Sequence, residues 1–206
     1  LYSDGHKLAG HMSNPFSLEN KNILITGAAS GIGRQCALSS EALGASLILF
    51  DQNEEGLNET LELLKHKSFH FISVVDLTDV EATSRSLSTA VEKAGRINGV
   101  LHCAGISTTL PLKLATPELV DKFFRVNVYT SYFLTREVCK VNNLAKEGAS
   151  IVFFSSVVGS FGGKRKITIW YDQGGIGRCG QIPCCGTGQK EGSGKRGFSR
   201  SHHYPH

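Results

Sequence analysis

The chain is 206 residues long, 40% hydrophobic and 19% charged, enough apolar sequence to bury a full core and too little charge for an unfolded polyelectrolyte. No internal repeat is visible, and no apolar run is long enough to cross a membrane, so no membrane partner is expected. The net charge of +4 is uneven: residues 1–163 hold 14 Lys+Arg against 16 Asp+Glu, and residues 164–206 hold 8 against 2, so the basic excess belongs to the tail and a nucleic-acid partner is not expected.

Leu1 to His11 lacks the hydrophobic stretch of a leader, and Gly10-His11-Met12 reads as a cloning scar ahead of a native Met12, with a natural polar arm as the alternative. From there, apolar runs suited to buried parallel strands fall at 22–26, 46–50, 69–75, 97–102 and 149–155. Helical spacing occupies 31–43, 54–66, 79–95 and 116–146. Alternation of this kind predicts an α/β, doubly wound parallel sheet of the Rossmann type over residues 12–168.

The first turn of that pattern is the most specific. Thr26-Gly27-Ala28-Ala29-Ser30-Gly31-Ile32-Gly33 follows a β-branched strand and opens a helix, where missing side chains let backbone amides reach a pyrophosphate. The spacing is Gly-x-x-x-Gly-x-Gly, not the commoner Gly-x-Gly-x-x-Gly. Asp51 ends the second strand 18 residues after Gly33, near the interval at which a carboxylate meets an adenosine ribose. Such a carboxylate accepts from both ribose hydroxyls and repels a 2′-phosphate, and no lysine or arginine takes the place of Ser30. NAD is therefore favoured over NADP. The plainer reading of Asp51 is a residue that starts the turn before the next helix.

With these residues in place, positions 20 to about 168 resemble a short-chain dehydrogenase/reductase, with a likeness to 3-oxoacyl carrier-protein reductases. The resemblance implies that Gly27, Ser30, Gly31, Ile32 and Gly33 hold the cofactor phosphates. Asp76-Leu77 would meet the adenine, and Cys103, Ala104 and Gly105 would offer backbone to the cofactor. At the last motif the family has Asn-Asn-Ala-Gly and this chain has His102-Cys103-Ala104-Gly105, so the asparagine amide that ties neighbouring strands is lost at His102. Asn127, in Arg125-Val126-Asn127-Val128, matches the family's water-holding asparagine. Ser156, in Phe154-Ser155-Ser156-Val157-Val158-Gly159, matches the serine that orients a substrate carbonyl. These two are the candidate catalytic residues. No metal site is expected, since Cys179, Cys184 and Cys185 have a spacing that fits no metal pattern.

Residues 169–206 do not continue the pattern. From Trp170 to His206 there is no alanine, leucine or valine, and nine glycines and half of the six cysteines occur there. A reading-frame slip accounts for this, with a disordered tail as the alternative. Shifted by one base, codons for Ile169 to Gly175 permit Tyr-Gly-Thr-Thr-Lys-Ala, 13 residues past Ser156, the family's Tyr-x-x-x-Lys pair at its usual interval. In the same frame Gly180 to Gly188 permits Val-Lys-Ser-Leu-Ala-Val-Glu-Leu-Ala, an amphipathic helix, and Lys195 to Arg200 permits Asn-Ala-Val-Ser-Pro-Gly. As the chain stands, Tyr171 has Gly175 four residues on, where the lysine belongs.

The resemblance implies hydride transfer between a nicotinamide cofactor and a carbonyl or secondary alcohol, in the cytoplasm. It implies a homo-oligomer through the helix at 118–146 and its successor where the C-terminal region is intact. The alternative is a truncated, catalytically silent nucleotide-binding fragment. The segment 108–117 reads either as one side of a substrate pocket or as plain connection. The outer side of the fifth strand is expected to expose apolar surface.

Overall fold

The computed structural model describes residues 14–66, 70–110, 112–155 and 167–168. Five strands, β1 (Asn22–Thr26), β2 (Ser46–Asp51), β3 (Phe71–Val74), β4 (Gly99–His102) and β6 (Ser150–Phe153), form one parallel sheet in the order β3-β2-β1-β4-β6. Strand order reverses direction beside β1, which pairs with β2 on one side and β4 on the other. In open sheets of this kind, ligands bind beyond the carboxyl ends of the strands at that switch.

The strands are continuous apolar runs because both faces of the sheet are covered. Along β1, Leu24 enters a core cluster with Ile48, Phe50, Leu87, Val100 and Leu134, while Ile23 and Ile25 enter a second with Ala37, Leu47, Leu49 and Leu57. The two-residue period therefore sends neighbours to opposite layers. Helices α1 (Gly31–Ala42) and α2 (Glu54–Leu63) cover the second cluster, and α3 (Val80–Ala94) and α5 (Thr130–Val138) the first. Capping fixes two of the helix starts: Asn53 accepts from Gly56 N and Asp79 from Ala82 N, each satisfying an amide of the first turn.

Several expected boundaries shift. The helix expected at 116–146 is divided into α4 (Pro117–Phe124), a π-helical turn (Arg125–Tyr129) and α5, which stops at Val138. Asn143 Nδ2 donates to the carbonyl of Glu137 at 2.8 Å, closing the helix end. Leu144 then bridges to Ile97 in parallel, so the segment runs beside the sheet rather than along a helix. The helix expected at 54–66 ends at Leu63 because Glu41 Oε1 accepts from Lys65 N and His66 N at 2.7 and 2.8 Å. A side chain of α1 thus draws those amides out of the helical ladder. The strands expected at 69–75, 97–102 and 149–155 are shorter at one or both ends. A small antiparallel pair, β5 (Thr109–Leu110) with β7 (Ile167–Thr168), was not anticipated.

Candidate functional site

A cleft of about 640 Å³ opens beyond the carboxyl ends of the strands. It is lined by Gly27, Ser30, Gly31, Ile32 and Gly33 after β1, Asp51 after β2, Asp76 and Leu77 after β3, and Cys103, Ala104 and Gly105 after β4. The cleft gathers every residue singled out for cofactor contact in the sequence. A shallower depression of about 1030 Å³ lies on the outer side of α2, lined by Glu54, Glu55, Glu59 and Glu62 among others. Its carboxylates disfavour a phosphate, and it shares only Gln52 with the cleft.

The glycine turn is built by close approach. A Cβ on Gly27, whose φ is +66°, would lie 2.7 Å from Ala104 N, and one on Gly33 would lie 2.0 Å from the Gly27 carbonyl oxygen. Both are therefore fixed by packing of turn against turn and turn against helix. Gly31 differs: a Cβ there would meet nothing within 4 Å, so its missing side chain leaves open space on the cleft wall. Ser30 holds the N-cap of α1 with no side-chain capping bond, and the first turn of α1 carries no acidic residue. The amides and positive dipole end of a twelve-residue helix are thus offered to an external anion.

Asp51 serves the scaffold and retains acceptor capacity. Its Oδ2 accepts from Ala29 N and its Oδ1 from Asn53 N, each at 3.0 Å, which joins the glycine turn to the start of α2. The turn reading and the ribose reading are compatible, because each carboxylate oxygen has a second lone pair. Asp76 is similarly braced, accepting from Thr78 N at 2.9 Å and Thr78 Oγ1 at 2.8 Å.

His102 is not the loose substitute that its departure from Asn-Asn-Ala-Gly suggested. It is buried, its ring stacks on Phe153 at 4.8 Å and 11°, and its Nε2 lies 2.9 Å from Thr135 Oγ1. The tie lost with the asparagine is replaced by contacts from β4 to β6 and to α5. Burial pushes the imidazole down to about 4, so it is neutral at neutral pH. The next residues are held separately, with Ala104 N donating to Thr26 Oγ1 at 3.1 Å. Cys103 is half-buried, and burial first, then its contact with Cys36, pushes its thiol up to about 12.

Asn127 sits in the π-helical turn, a distortion often found at functional positions. Its side chain grips the backbone of Ile106 in both senses: Ile106 N donates to Oδ1 at 2.7 Å, and Nδ2 donates to the Ile106 carbonyl at 2.8 Å. The amide thus braces the loop that carries Cys103 to Gly105, while Val126 and Thr130 from the same segment line the cleft. Ser156 and Tyr171 lie outside the described residues. The sequence reading passed over Gln52, Thr78 and Ile106, each one position beyond a recognised motif, and Lys122 and Arg125 on α4 and its continuation. Adjacency to the strand-end motifs was a usable signal for the first three; nothing local distinguished the two cations from solvent-exposed ones.

Fold and cleft together define a dinucleotide-binding α/β architecture. The chain belongs to the short chain dehydrogenase family, whose model matches residues 21–168. It is 30% identical over 179 residues to versicolorin reductase 1 of Aspergillus parasiticus, an overlap of 84% of this chain and 67% of that protein. It is 30% identical over 150 residues to the uncharacterized oxidoreductase YciK of Escherichia coli, covering 70% and 59%. A solved short chain dehydrogenase from Mycobacterium smegmatis superposes with a TM-score of 0.72 at 27% identity, covering 78% of this chain and 68% of that one. The chain thus spans about three fifths to two thirds of the length of these curated relatives.

Proposed function

We propose that this chain carries the cofactor-binding part of an oxidoreductase that moves hydride between a nicotinamide cofactor and a carbonyl or secondary-alcohol substrate. The observation that carries the reading is the convergence of four strand-end turns on one cleft, with Asp51 at the end of β2 and the uncapped N-terminus of α1 both on its lining. The residues fit a dinucleotide. Gly31 leaves room for the pyrophosphate to approach, and Ser30, Ile32 and Gly33 present α1 amides. Asp51 would accept from the ribose hydroxyls, Asp76 and Leu77 would meet the adenine, and Cys103 to Gly105 would offer backbone to the cofactor. The bound nicotinamide supplies the hydride chemistry.

The chain's own contribution is to bind and orient. Ser156 positions a substrate carbonyl, and Asn127 holds the loop and the water route that serve it. NAD is preferred because Asp51 repels a 2′-phosphate. Lys122 and Arg125 in the same cleft are the counterweight to that preference. A 3-oxoacyl carrier-protein type of substrate, a cytoplasmic setting and, where the C-terminal region is intact, a homo-oligomer formed through the 118–146 segment and its successor belong to the same proposal. Fluorescence titration with NADH and NADPH tests it: tighter NADH binding supports the reading, and no binding of either nucleotide removes it.

A second reading is favoured by one feature of the sequence. Tyr171 has Gly175 where a lysine is required four residues on. Tyrosine, with an ordinary pKa of about 10, needs that cation to work near neutrality. We infer that residues 12–168 are the native dinucleotide-binding domain and that 169–206 is out of register, so the chain as it stands binds nucleotide without turning substrate over. Nucleotide sequence across codons 165–175 decides between a slip and a true ending. Turnover of a ketone panel by this chain would show that its acid is present after all.

A further inference from the structure

The glycine turn is held from behind by the first two turns of α2. Arg34, at the end of the first turn of α1, lines the depression on the outer side of α2, whereas Ser30 lines the cleft. Its Nη2 donates to the Ala29 carbonyl and also reaches Glu59 Oε2 at 2.7 Å and the Gly56 carbonyl at 3.2 Å, while Nε donates to Thr60 Oγ1 at 3.0 Å. The buried Thr60 hydroxyl lies 2.8 Å from the Ala28 carbonyl oxygen. Gly56 closes the same face: a Cβ there would come within 2.8 Å of both the Ala29 carbonyl oxygen and the Ala29 Cβ. A cation at the start of a helix opposes the helix dipole. The carbonyls that Arg34 holds account for its place there.

We propose that Arg34 is a positioning residue for the cofactor phosphates: by fixing the Ala29 carbonyl on the α2 side, it aims the Ser30 amide into the cleft. The inference rests on the cofactor reading given above and names the group that orients one of its phosphate donors. The direction follows from the peptide bond. In a planar trans peptide the C=O and N–H point opposite ways, so an Ala29 carbonyl drawn toward α2 sends the Ser30 N–H to the side where Ser30 borders the cleft. Among the described residues no acceptor takes that amide, which leaves it for an external anion. The preceding peptide is fixed by the same rule, with its carbonyl on Thr60 and the Ala29 N–H donated to Asp51 Oδ2 at 3.0 Å. Ala29 is thus held between a carboxylate on its amide and a guanidinium on its carbonyl, both charge-assisted bonds that are about twice as strong as neutral ones. An amide fixed before the ligand arrives loses no freedom on binding, and so a side chain that never touches the ligand raises its affinity.

The test uses the full chain, uniformly labelled with nitrogen-15, and compares the parent with Arg34→Met, Gly56→Ala and Glu137→Ala. Arg34→Met removes the donor, and Gly56→Ala pushes on the same carbonyl by a different route. Glu137→Ala destabilises a remote part of the fold and shows what lost stability does to binding by itself. NADH is titrated by fluorescence, and ADP and adenosine by its displacement. In Arg34→Met the affinity for NADH and ADP should fall about tenfold, the loss of one hydrogen bond to a charged group, while adenosine binds as in the parent. Gly56→Ala should shift the ratio of ADP to adenosine affinity in the same direction, and Glu137→Ala should leave it unchanged. Without ligand, the Ser30 amide resonance should move in the first two variants and stay in place in the third. The proposal is overturned if adenosine affinity falls as far as ADP affinity, if Arg34→Met binds NADH like the parent, or if the Ser30 resonance does not move. Absence of NADH binding by the parent would instead remove the cofactor reading, and the Ser30 resonance would then judge by itself whether Arg34 sets that peptide.

Discussion

Asp51 shows how one carboxylate braces the scaffold while, under the proposed function, keeping acceptor capacity for a ribose. With both oxygens bonded to backbone amides, Asp51→Asn keeps the side-chain size but forces one amide-to-amide clash, so the ribose contact and the turn are weakened together. NADH affinity should fall about tenfold, the loss of a hydrogen bond to a charged group, while NADPH loses less because the repulsion is relieved. Parallel fluorescence titrations check both limbs. His102 makes a pH prediction of definite sign. Its imidazole is pushed from an ordinary 6.5 down to about 4, so the unfolded chain takes up the proton first as pH falls. The native state is fully favoured above 6.5, loses stability as pH drops toward about 4, and should lose roughly 3 kcal/mol over that window. Urea denaturation across the window, compared with His102→Leu, isolates this residue. The variant should show a flatter pH dependence.

At the level of elements, the glycines of the first turn divide into two kinds that substitution separates. Gly33→Ala drives a methyl to 2.0 Å from the Gly27 carbonyl oxygen and should cost about 3 kcal/mol of folding stability, seen in the urea midpoint. Gly31→Ala meets open space, though at a φ of +50°. It should cost about 1 kcal/mol yet lose nucleotide binding, because its methyl projects into the cleft. Glu137 joins two elements: its buried carboxylate accepts from Ser84 of α3 at 3.0 Å and from Arg136 at 3.0 Å, and it also pairs with Lys140. Glu137→Ala should destabilise by about 1–2 kcal/mol, chiefly through the lost Ser84 hydrogen bond, with little from its pairs with two cations that are more than half exposed, and with nucleotide affinity preserved.

What was legible in the sequence follows from how local each cause is. β1, with Ile23, Leu24 and Ile25 sent to alternating layers, and α1, opened by glycines, announce themselves within a few residues. So do the four strand-end motifs that converge on the cleft. The end of α5 depends on the Asn143 side chain reaching back to Glu137, and the end of α2 on a carboxylate from α1. The second is a tertiary cause with no local signature, and the first depends on a side chain six residues away that helical spacing does not reveal. His102 was legible only as a departure, since its replacement contacts with Phe153 and Thr135 come from elements 33 or more residues away.

For the molecule as a whole, the boundary of interest lies at β6. It is the edge strand of the five-stranded sheet, and Val152 and Phe154 expose 42% and 37% of their surface, in keeping with the apolar outer side expected for the fifth strand. If residues 169–206 are out of register, a chain in the restored frame should gain solubility as well as the Tyr-x-x-x-Lys pair. Sedimentation of both forms is the check. Ketone reduction should appear only in the restored one, while NADH binding should be common to both.

Among the described residues, the cleft lining runs from Gly27 to Thr130, on the turns after β1 to β4 and the α4–α5 segment. A nascent polypeptide emerging from the ribosome therefore presents these lining residues before its remaining segments are translated. Under the proposed function, dinucleotide at a hundredfold excess over its dissociation constant would add about 2.7 kcal/mol to the domain it binds. The coenzyme would then act as a folding template during synthesis, protecting an open sheet edge from neighbouring chains until later sequence arrives.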